Sequence, residues 1–147
     1  MSGILLFKKK FIEPILVGEK TQTVRLWRRC RARVGQRSYI PGAGYIRIDS
    51  VDRILLDELT DTDARLDGFP DAAALRAELH TLYAEELRQG FQAYRVRFTR
   101  LPEAEQERIQ RERKKQKEQL QEKIRAEQYE KTMKKLREIV SHQPSDG

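Results

Sequence analysis

A short segment, residues 18–25, carries the residues whose types and spacing point most directly to chemistry. It reads GEKTQTVR and fits the pattern G-x-K-x-x-T-x-R. Because side chains alternate along a strand, one face is expected to carry Thr23, Arg25 and Trp27, with Lys20 at the strand entrance. Such a row offers a guanidinium for a phosphate or carbonyl, an indole for base stacking, and a hydroxyl for hydrogen bonding or reaction. The alternative is that Thr23 is an ordinary strand residue and Arg25 a surface charge.

Elements on both sides of this segment must position it. A short helix over residues 11–17 is predicted to end at Gly18. Thr60 is expected to cap a second short helix. Residues 71–87 have apolar side chains at helical spacing, which predicts a third helix. Strands are predicted over residues 4–7, 21–27, 34–40, 45–56 and 94–98. A change in alternation near Ser50 predicts a β-bulge. Strands mixed with short helices favour an α+β fold, a small barrel.

The composition changes sharply at Leu101-Pro102. Residues 1–101 hold 18 basic and 13 acidic side chains, with the only Trp, all five Phe and four of the five Tyr. The remaining residues hold 12 basic and 10 acidic side chains. We therefore predict a folded domain over 1–101, a long charged helix within 102–141, and a disordered tail over 142–147.

The chain's composition excludes several classes of protein. One cysteine and two histidines exclude a disulfide framework and an ordinary structural zinc site, so we expect no metal and no cofactor. No apolar run approaches the roughly 20 residues that span a bilayer, and three lysines interrupt the apolar N-terminus. The sequence predicts a cytoplasmic protein that has no membrane partner.

The motif and the order of elements around it resemble the ASCH domain, a branch of the PUA-like superfamily. The resemblance covers roughly residues 4–100 and includes the helix before Gly18, the Val34-Gly35 strand entry, Gly68-Phe69 and the last strand. It implies a small PUA-like β-barrel of about five to six strands with short flanking helices, and a cleft that the motif lines. The family is implicated in RNA-related roles, and some small members are amidohydrolases that deacetylate N4-acetylcytidine.

The resemblance also implies a catalytic set for the hydrolase alternative. In those hydrolases a lysine and a threonine of the motif work with a downstream glutamate, and Lys20 and Thr23 match the first two. Asp67 stands at the third position, where aspartate is shorter by one carbon–carbon bond, about 1.5 Å. The alternative role for Asp67 is that of a turn residue before Gly68.

Basic residues are concentrated between positions 8 and 37, where ten stand against two acidic ones. Arginine-dense loops beside an aromatic residue suit RNA phosphates and unstacked bases. The predicted nucleic-acid-binding residues are Lys20, Arg25, Trp27, Arg28, Arg29, Arg31, Arg33 and Arg37. Residues 49–71 hold eight acidic groups against two basic ones, so the alternative is that this segment neutralises the basic patch within the molecule.

Three functions follow from these patterns. The first hypothesis is an RNA-binding or other nucleic-acid-binding module. The second is an amidohydrolase that acts on an acylated nucleoside. The third is an adaptor that binds a protein partner, or a second copy of the chain, through residues 120–140 of the helix, whose apolar residues are sparse for a coiled coil.

Overall fold

A curled antiparallel sheet of four strands is the framework of the first part of the chain. The strands are β1 (Gln22–Trp27), β2 (Arg37–Ile40), β3 (Gly44–Ile54) and β4 (Gln92–Arg100), in the sheet order β1-β4-β3-β2. The computed structural model describes residues 5–142. The chain divides into two compact units, Met1–Pro102 and Glu103–Gly147. The α+β class is confirmed, and the sheet forms a half-barrel.

The described part of the chain has fewer strands than the five to six that were predicted. Residues 5–7 form no strand, and the rest of the predicted first strand lies outside the described residues. Leu5 is buried in the core, and the carbonyl of Leu6 accepts a hydrogen bond from Arg25 Nη2 at 2.6 Å. The Arg25 guanidinium therefore satisfies the Leu6 carbonyl, which would pair with a neighbouring strand if residues 5–7 formed a strand.

The predicted bulge in β3 is confirmed. The pairing of β3 with β4 shifts register between Ile48 and Ser50, so Asp49 is the extra residue. Ile46 and Ile48 are fully buried before the shift. A bulge increases local twist and bends the strand, which suits the curl of this sheet.

Short helices connect the strands, and their ends follow local sequence signals. The first is α1 (Ile12–Leu16), after which Gly18 adopts a φ of +80° that L side chains rarely adopt. Thr60 caps α2 (Asp61–Asp67) as predicted, in a capping box with Asp63. The helix predicted over residues 71–87 is broken at Tyr83, so it forms α3 (Ala72–Leu82) and α4 (Ala84–Arg88).

Two hydrophobic clusters cover the sheet. One contains Leu5, Ile15 and the buried isoleucines of β2 and β3. The other joins Val24 and Leu26 of β1 to α2 and α3 through Ala64, Leu75 and Leu79. Because Val24 and Leu26 pack in the second cluster, Thr23 and Arg25, which alternate with them, lie on the opposite face of the strand.

The second unit consists of one helix, α5 (Glu103–Ser141), of 39 residues. Most of its side chains are exposed. Among residues 5–142, no helix combines the length and the hydrophobicity that a membrane span requires. The disordered tail predicted over 142–147 lies, apart from residue 142, outside the described residues.

Candidate functional site

A buried ion pair joins the motif to the end of α2. Lys20 Nζ lies 2.5 Å from Asp67 Oδ1, and the two side chains are 2% and 6% exposed. Lys20 Nζ also donates to the backbone carbonyl of Asp67 and, at 3.0 Å, to that of Gln22. All three ammonium protons are therefore engaged. Although aspartate is shorter than glutamate, its carboxylate reaches the lysine.

The backbone on both sides brings these two residues together. The amide of Lys20 donates to the Pro14 carbonyl at 3.0 Å, and the amide of Thr21 donates to the Leu66 carbonyl at 3.0 Å. Gly68 ends α2 in the left-handed conformation, with φ of +95°. The turn after Asp67 therefore favours glycine by its conformation, and a Cβ at Gly68 would also lie 3.2 Å from the Phe11 ring, a tight contact.

Burial perturbs the pKa values of both partners. Desolvation lowers the pKa of Lys20, and the adjacent Asp67 carboxylate opposes that shift. Desolvation raises the pKa of Asp67, and Lys20 and Arg25 oppose it. Burial thus moves both groups toward their neutral forms, while their mutual attraction favours the charged forms. Perturbed pKa values of this kind are concentrated at functional sites.

The second carboxylate oxygen of Asp67 is a candidate contact for a ligand. Asp67 Oδ2 is buried and has no hydrogen-bond partner within residues 5–142. Asp67 lines a small cleft of about 100 Å³, together with Lys20, Thr23 and Arg25. Because a buried unsatisfied acceptor is costly, this oxygen can take a donor from a water molecule or from a bound molecule. An N–H group of a bound molecule has that chemistry.

Thr23 and Arg25 present further polar groups in the same cleft. Arg25 Nε donates to Thr23 Oγ1 at 3.0 Å, which fixes the orientation of the hydroxyl group. The guanidinium lies 4.8 Å from the centre of the Phe7 ring. Burial lowers the pKa of Arg25. The structure thus brings the three residues Lys20, Thr23 and Asp67 into one cleft with Arg25.

Aromatic residues form much of the cleft wall, and the sequence analysis missed them. Phe11 and Phe69 are in tilted contact, with ring centres 5.7 Å apart, and Lys20 Nζ lies 4.5 Å from the centre of the Phe11 ring. At the rim, Lys8 Nζ bonds to Glu78 Oε1 at 3.0 Å. The missed lining residues are Leu6, Phe7, Lys8, Phe11, Val24, Phe69, Leu75, Glu78, Leu79, Leu82 and Tyr83. Among them, only Phe69 belonged to the family resemblance, and none was predicted as a site residue.

Asp63 positions α2, and therefore Asp67, although it lies outside the cleft lining. Its carboxylate completes the capping box with Thr60 and lies 3.3 Å from Arg95 Nη1 and 3.7 Å from Arg97 Nη2 on β4. Burial acts to raise the pKa of Asp63, but the hydrogen bonds from Thr60 and the two arginines outweigh it and lower that pKa. The carboxylate thereby anchors the start of α2 to the sheet.

The remaining predicted cations lie outside the cleft. We call residues 28–37 the arginine loop, since they hold Arg28, Arg29, Arg31, Arg33 and Arg37, all exposed. In the part of the chain that the structure describes, none of these five forms an ion pair. Arg28 and Arg37 lie over the Phe91 and Tyr45 rings. Four of the eight acidic residues in 49–71 contact other cations, namely Lys20, Arg47, Arg95 and Arg97.

Trp27, at the end of β1, lies between the core and the arginine loop. Its ring is 5.6 Å from the Tyr94 ring in a tilted arrangement, and it packs against the core cluster. Part of the indole is accessible. Trp27 therefore supports the sheet as well as bordering the arginine loop.

Comparison with known proteins gives similarity at the level of the fold. No protein-family model and no curated protein matches the chain. An ASCH domain structure from Lactobacillus crispatus JV V101 has a TM-score of 0.51 at 18% identity, covering 60% of this chain and 68% of that one. The hypothetical protein PH0355 has a TM-score of 0.55 at 14% identity, covering 65% of this chain and 95% of that one.

The similarity agrees with the elements built up above. It extends over roughly the length of the Met1–Pro102 unit, in which the antiparallel sheet and α2 hold Lys20, Thr23, Arg25 and Asp67 around one cleft. The Met1–Pro102 unit therefore has the fold of an ASCH domain.

Proposed function

We propose that this protein binds RNA through the arginine loop and places one base in the cleft. The observation that carries this proposal is that the five loop arginines are exposed and form no ion pair within residues 5–142. Exposed cations without carboxylate partners are available to phosphates, and they release counterions from a polyanion when they bind. Single-stranded RNA combines phosphates with unstacked bases, which suits a loop beside a cleft.

The ion pairs of the acidic segment support a loop whose charge is available to a ligand. Asp49, Asp52 and Asp63 contact Arg47, Arg95 and Arg97. Asp67 contacts Lys20. Four of the eight acidic side chains of residues 49–71 are thus paired with cations outside the arginine loop, and within residues 5–142 none of the eight is paired with a loop arginine.

The adjacency of the cleft and the loop along the chain supports one ligand that reaches both. Arg25 lines the cleft, and Arg28 begins the loop directly after β1. Three residues separate them, which is about 10 Å of extended chain at 3.3 Å per residue. The cleft volume of about 100 Å³ is below the roughly 300–1,000 Å³ of pockets for drug-sized ligands. It therefore suits one ring or amide group, whose N–H could donate to Asp67 Oδ2.

Titration of a labelled single-stranded RNA at several salt concentrations tests the proposal. Arg28→Glu with Arg31→Glu should weaken binding at low salt by about tenfold or more and reduce the salt slope by about 1.4, since each phosphate contact on a single strand contributes about 0.7. The loss should be similar for RNAs of different sequence, because phosphate contacts carry no sequence information.

A matched double charge reversal is available on the helices. Arg65→Glu with Arg88→Glu changes the net charge equally, at exposed positions of α2 and α4. This control should retain most of the affinity and the full salt slope. Equal losses in the two variants, or an affinity that does not depend on salt, would contradict RNA binding through the loop.

The ion pair in the cleft favours a second candidate, an amidohydrolase that acts on an acylated nucleoside. The specific observation is that Lys20, Asp67 and Thr23 line one cleft, with Asp67 Oδ2 left without a partner in the described chain. Neutral Lys20, favoured by burial, can accept a proton from Thr23 or from water. The resulting oxygen nucleophile adds to the acyl carbon, and the bond from that carbon to nitrogen breaks as Lys20 returns the proton to the leaving amine. Attack by water gives the carboxylic acid directly, whereas attack by Thr23 gives an acyl ester that a water molecule then hydrolyses.

Incubation with N4-acetylcytidine, followed by mass spectrometry for cytidine and acetate, tests this candidate. Lys20→Ala and Thr23→Ala should each abolish turnover, and circular dichroism should establish that the variants fold. Asp67→Glu, which restores the acid of the family hydrolases, should raise the rate. Turnover that survives loss of Lys20 would exclude this mechanism.

A further inference from the structure

The last part of α5 carries an apolar stripe that is exposed in this chain. Tyr129, Met133, Leu136 and Val140 follow one another at intervals of four, three and four residues. At about 100° per residue these side chains lie within a sector of about 60° around the helix. Tyr129, Leu136 and Val140 are 65%, 49% and 69% exposed. An apolar sector this narrow and this exposed is suited to pairing with another helix.

The intervals are those of a coiled-coil seam. Alternating steps of four and three residues place Tyr129 and Leu136 at position d of a heptad, and Met133 and Val140 at position a. Toward the N-terminus the seam continues only through Ala126, since the next d position is Glu122. The apolar seam is therefore confined to the last two heptads of α5.

We propose that this seam pairs in antiparallel orientation with the same seam of a second copy of the chain. Antiparallel pairing sets a positions against d positions, so Tyr129 faces Val140 of the second copy and Met133 faces Leu136 of the second copy. By symmetry this makes four apolar layers, and two of them combine a large aromatic ring with a small side chain. A self-complementary surface of this kind is what a two-fold dimer requires.

Charges beside the seam support this occupant and this orientation. Glu130 and Arg137 are both e positions, on the same side of the seam. Antiparallel pairing places Glu130 of one copy beside Arg137 of the other, so two ion pairs of opposite charge border the apolar layers. In a parallel pair, the next d position toward the N-terminus would bring the Glu122 side chains of the two copies together. Their like charges would repel.

Sedimentation of the full chain over about a hundredfold range of concentration tests the pairing, because a dimer dissociates on dilution. The mass should rise from one chain to two as the concentration increases. Met133→Lys with Leu136→Lys should give one chain at every concentration. Lysine is a good helix former, so circular dichroism should detect an unchanged helix content.

A control on the opposite face of α5 separates the seam from hydrophobicity in general. Leu120 and Ile124 are 58% and 47% exposed and lie on the side away from the seam. Leu120→Lys with Ile124→Lys should dimerise like the native chain. Loss of dimerisation in this control, or a native mass of one chain at all concentrations, would overturn the proposal.

Disulfide trapping tests the orientation in a Cys30→Ser background, which removes the only native cysteine. A chain with Met133→Cys should cross-link to a chain with Leu136→Cys when the two are mixed. Rapid cross-linking of Met133→Cys chains to one another, without the mixed product, would indicate a parallel pair and overturn the proposal. No RNA is present, so the outcome is independent of the RNA titration.

Discussion

Lys20 and the arginines of the arginine loop are neighbours in the sequence but have opposite environments in the folded chain. Lys20 is 2% exposed, and three acceptors from Gln22 and Asp67 surround its ammonium group. The loop arginines are exposed and form no ion pair in the chain from residue 5 to residue 142. A run of basic residues in a sequence is therefore not one site.

The difference determines how each group can act on a ligand. A buried cation is little screened by salt and has fixed partners. It therefore favours ligands whose hydrogen-bonding groups match the geometry and the protonation state of the site. Exposed arginines act through a field that salt screens over about 8–10 Å, so they attract a polyanion with little selectivity. The cleft is suited to selectivity and the loop to affinity.

The largest expected effect is on stability, from removal of the buried cation. Lys20→Met leaves the Asp67 carboxylate buried without its partner and should lower the free energy of unfolding by about 3–5 kcal/mol. Arg31→Met in the loop should change it by less than about 0.5 kcal/mol. Urea unfolding measures both variants.

A double variant sharpens this test. Lys20→Met with Asp67→Leu removes both charges and should recover part of the lost free energy, since an apolar pair can replace a buried ion pair. Equal stability of Lys20→Met and Arg31→Met would mean that Lys20 is not a buried cation in solution.

The second expected effect is a difference in the salt dependence of affinity between the ligands of the two regions. With five phosphate contacts, RNA affinity should fall about a hundredfold between 50 and 200 mM salt, given a slope of about 0.7 per contact. An uncharged nucleoside such as cytidine should bind in the cleft with little salt dependence. Calorimetric titration of both ligands measures the two slopes, and equal slopes would mean that both bind at the same place.

The third expected effect concerns Asp63, which anchors α2 and the cleft. Asp63→Asn should lower the free energy of unfolding at neutral pH by about 1–2 kcal/mol, because it weakens the capping box and the contacts with Arg95 and Arg97. The folded-state pKa of Asp63 is below its ordinary value of 3.8. The carboxylate therefore stabilises the fold above that pH, and the stabilisation is lost as pH falls through the folded-state pKa.

Unfolding experiments at several pH values test this direction of the pH dependence of stability. The difference between the native chain and Asp63→Asn should be largest near neutral pH and should shrink below pH 3.8. A difference that grows on acidification would contradict the role of the ionised carboxylate.

The smallest expected effect concerns Trp27, which borders the loop and packs beside Tyr94. Trp27→Phe keeps an aromatic ring and should change both RNA affinity and the free energy of unfolding by about 1 kcal/mol or less. Trp27→Ala should lose stacking of about 1–3 kcal/mol per base in RNA binding. As the only tryptophan, Trp27 also reports RNA binding by its fluorescence. Full RNA affinity in Trp27→Ala would restrict its role to the core.

Local signals in the sequence predicted much of the fold. Gly18 ends the first helix, Thr60 caps α2, and the register of β3 shifts next to Ser50, as their neighbours in the chain indicate. The long charged helix was predicted within residues 102–141 and extends over Glu103–Ser141. These features depend on interactions that span a few residues, so they can be read from the sequence. The break at Tyr83 was missed, since the apolar spacing continues through it.

The site was predicted only in its residue types. The sequence by itself determined that Lys20, Thr23 and Arg25 share one short segment, and a family resemblance suggested Asp67. Only the tertiary structure decided that Asp67 closes on Lys20 across 47 residues, that Phe11 and Phe69 wall the cleft, and that the loop arginines stay exposed. The reason is physical: desolvation and ion pairing depend on which distant groups fold around a side chain, and no local pattern of residues encodes that.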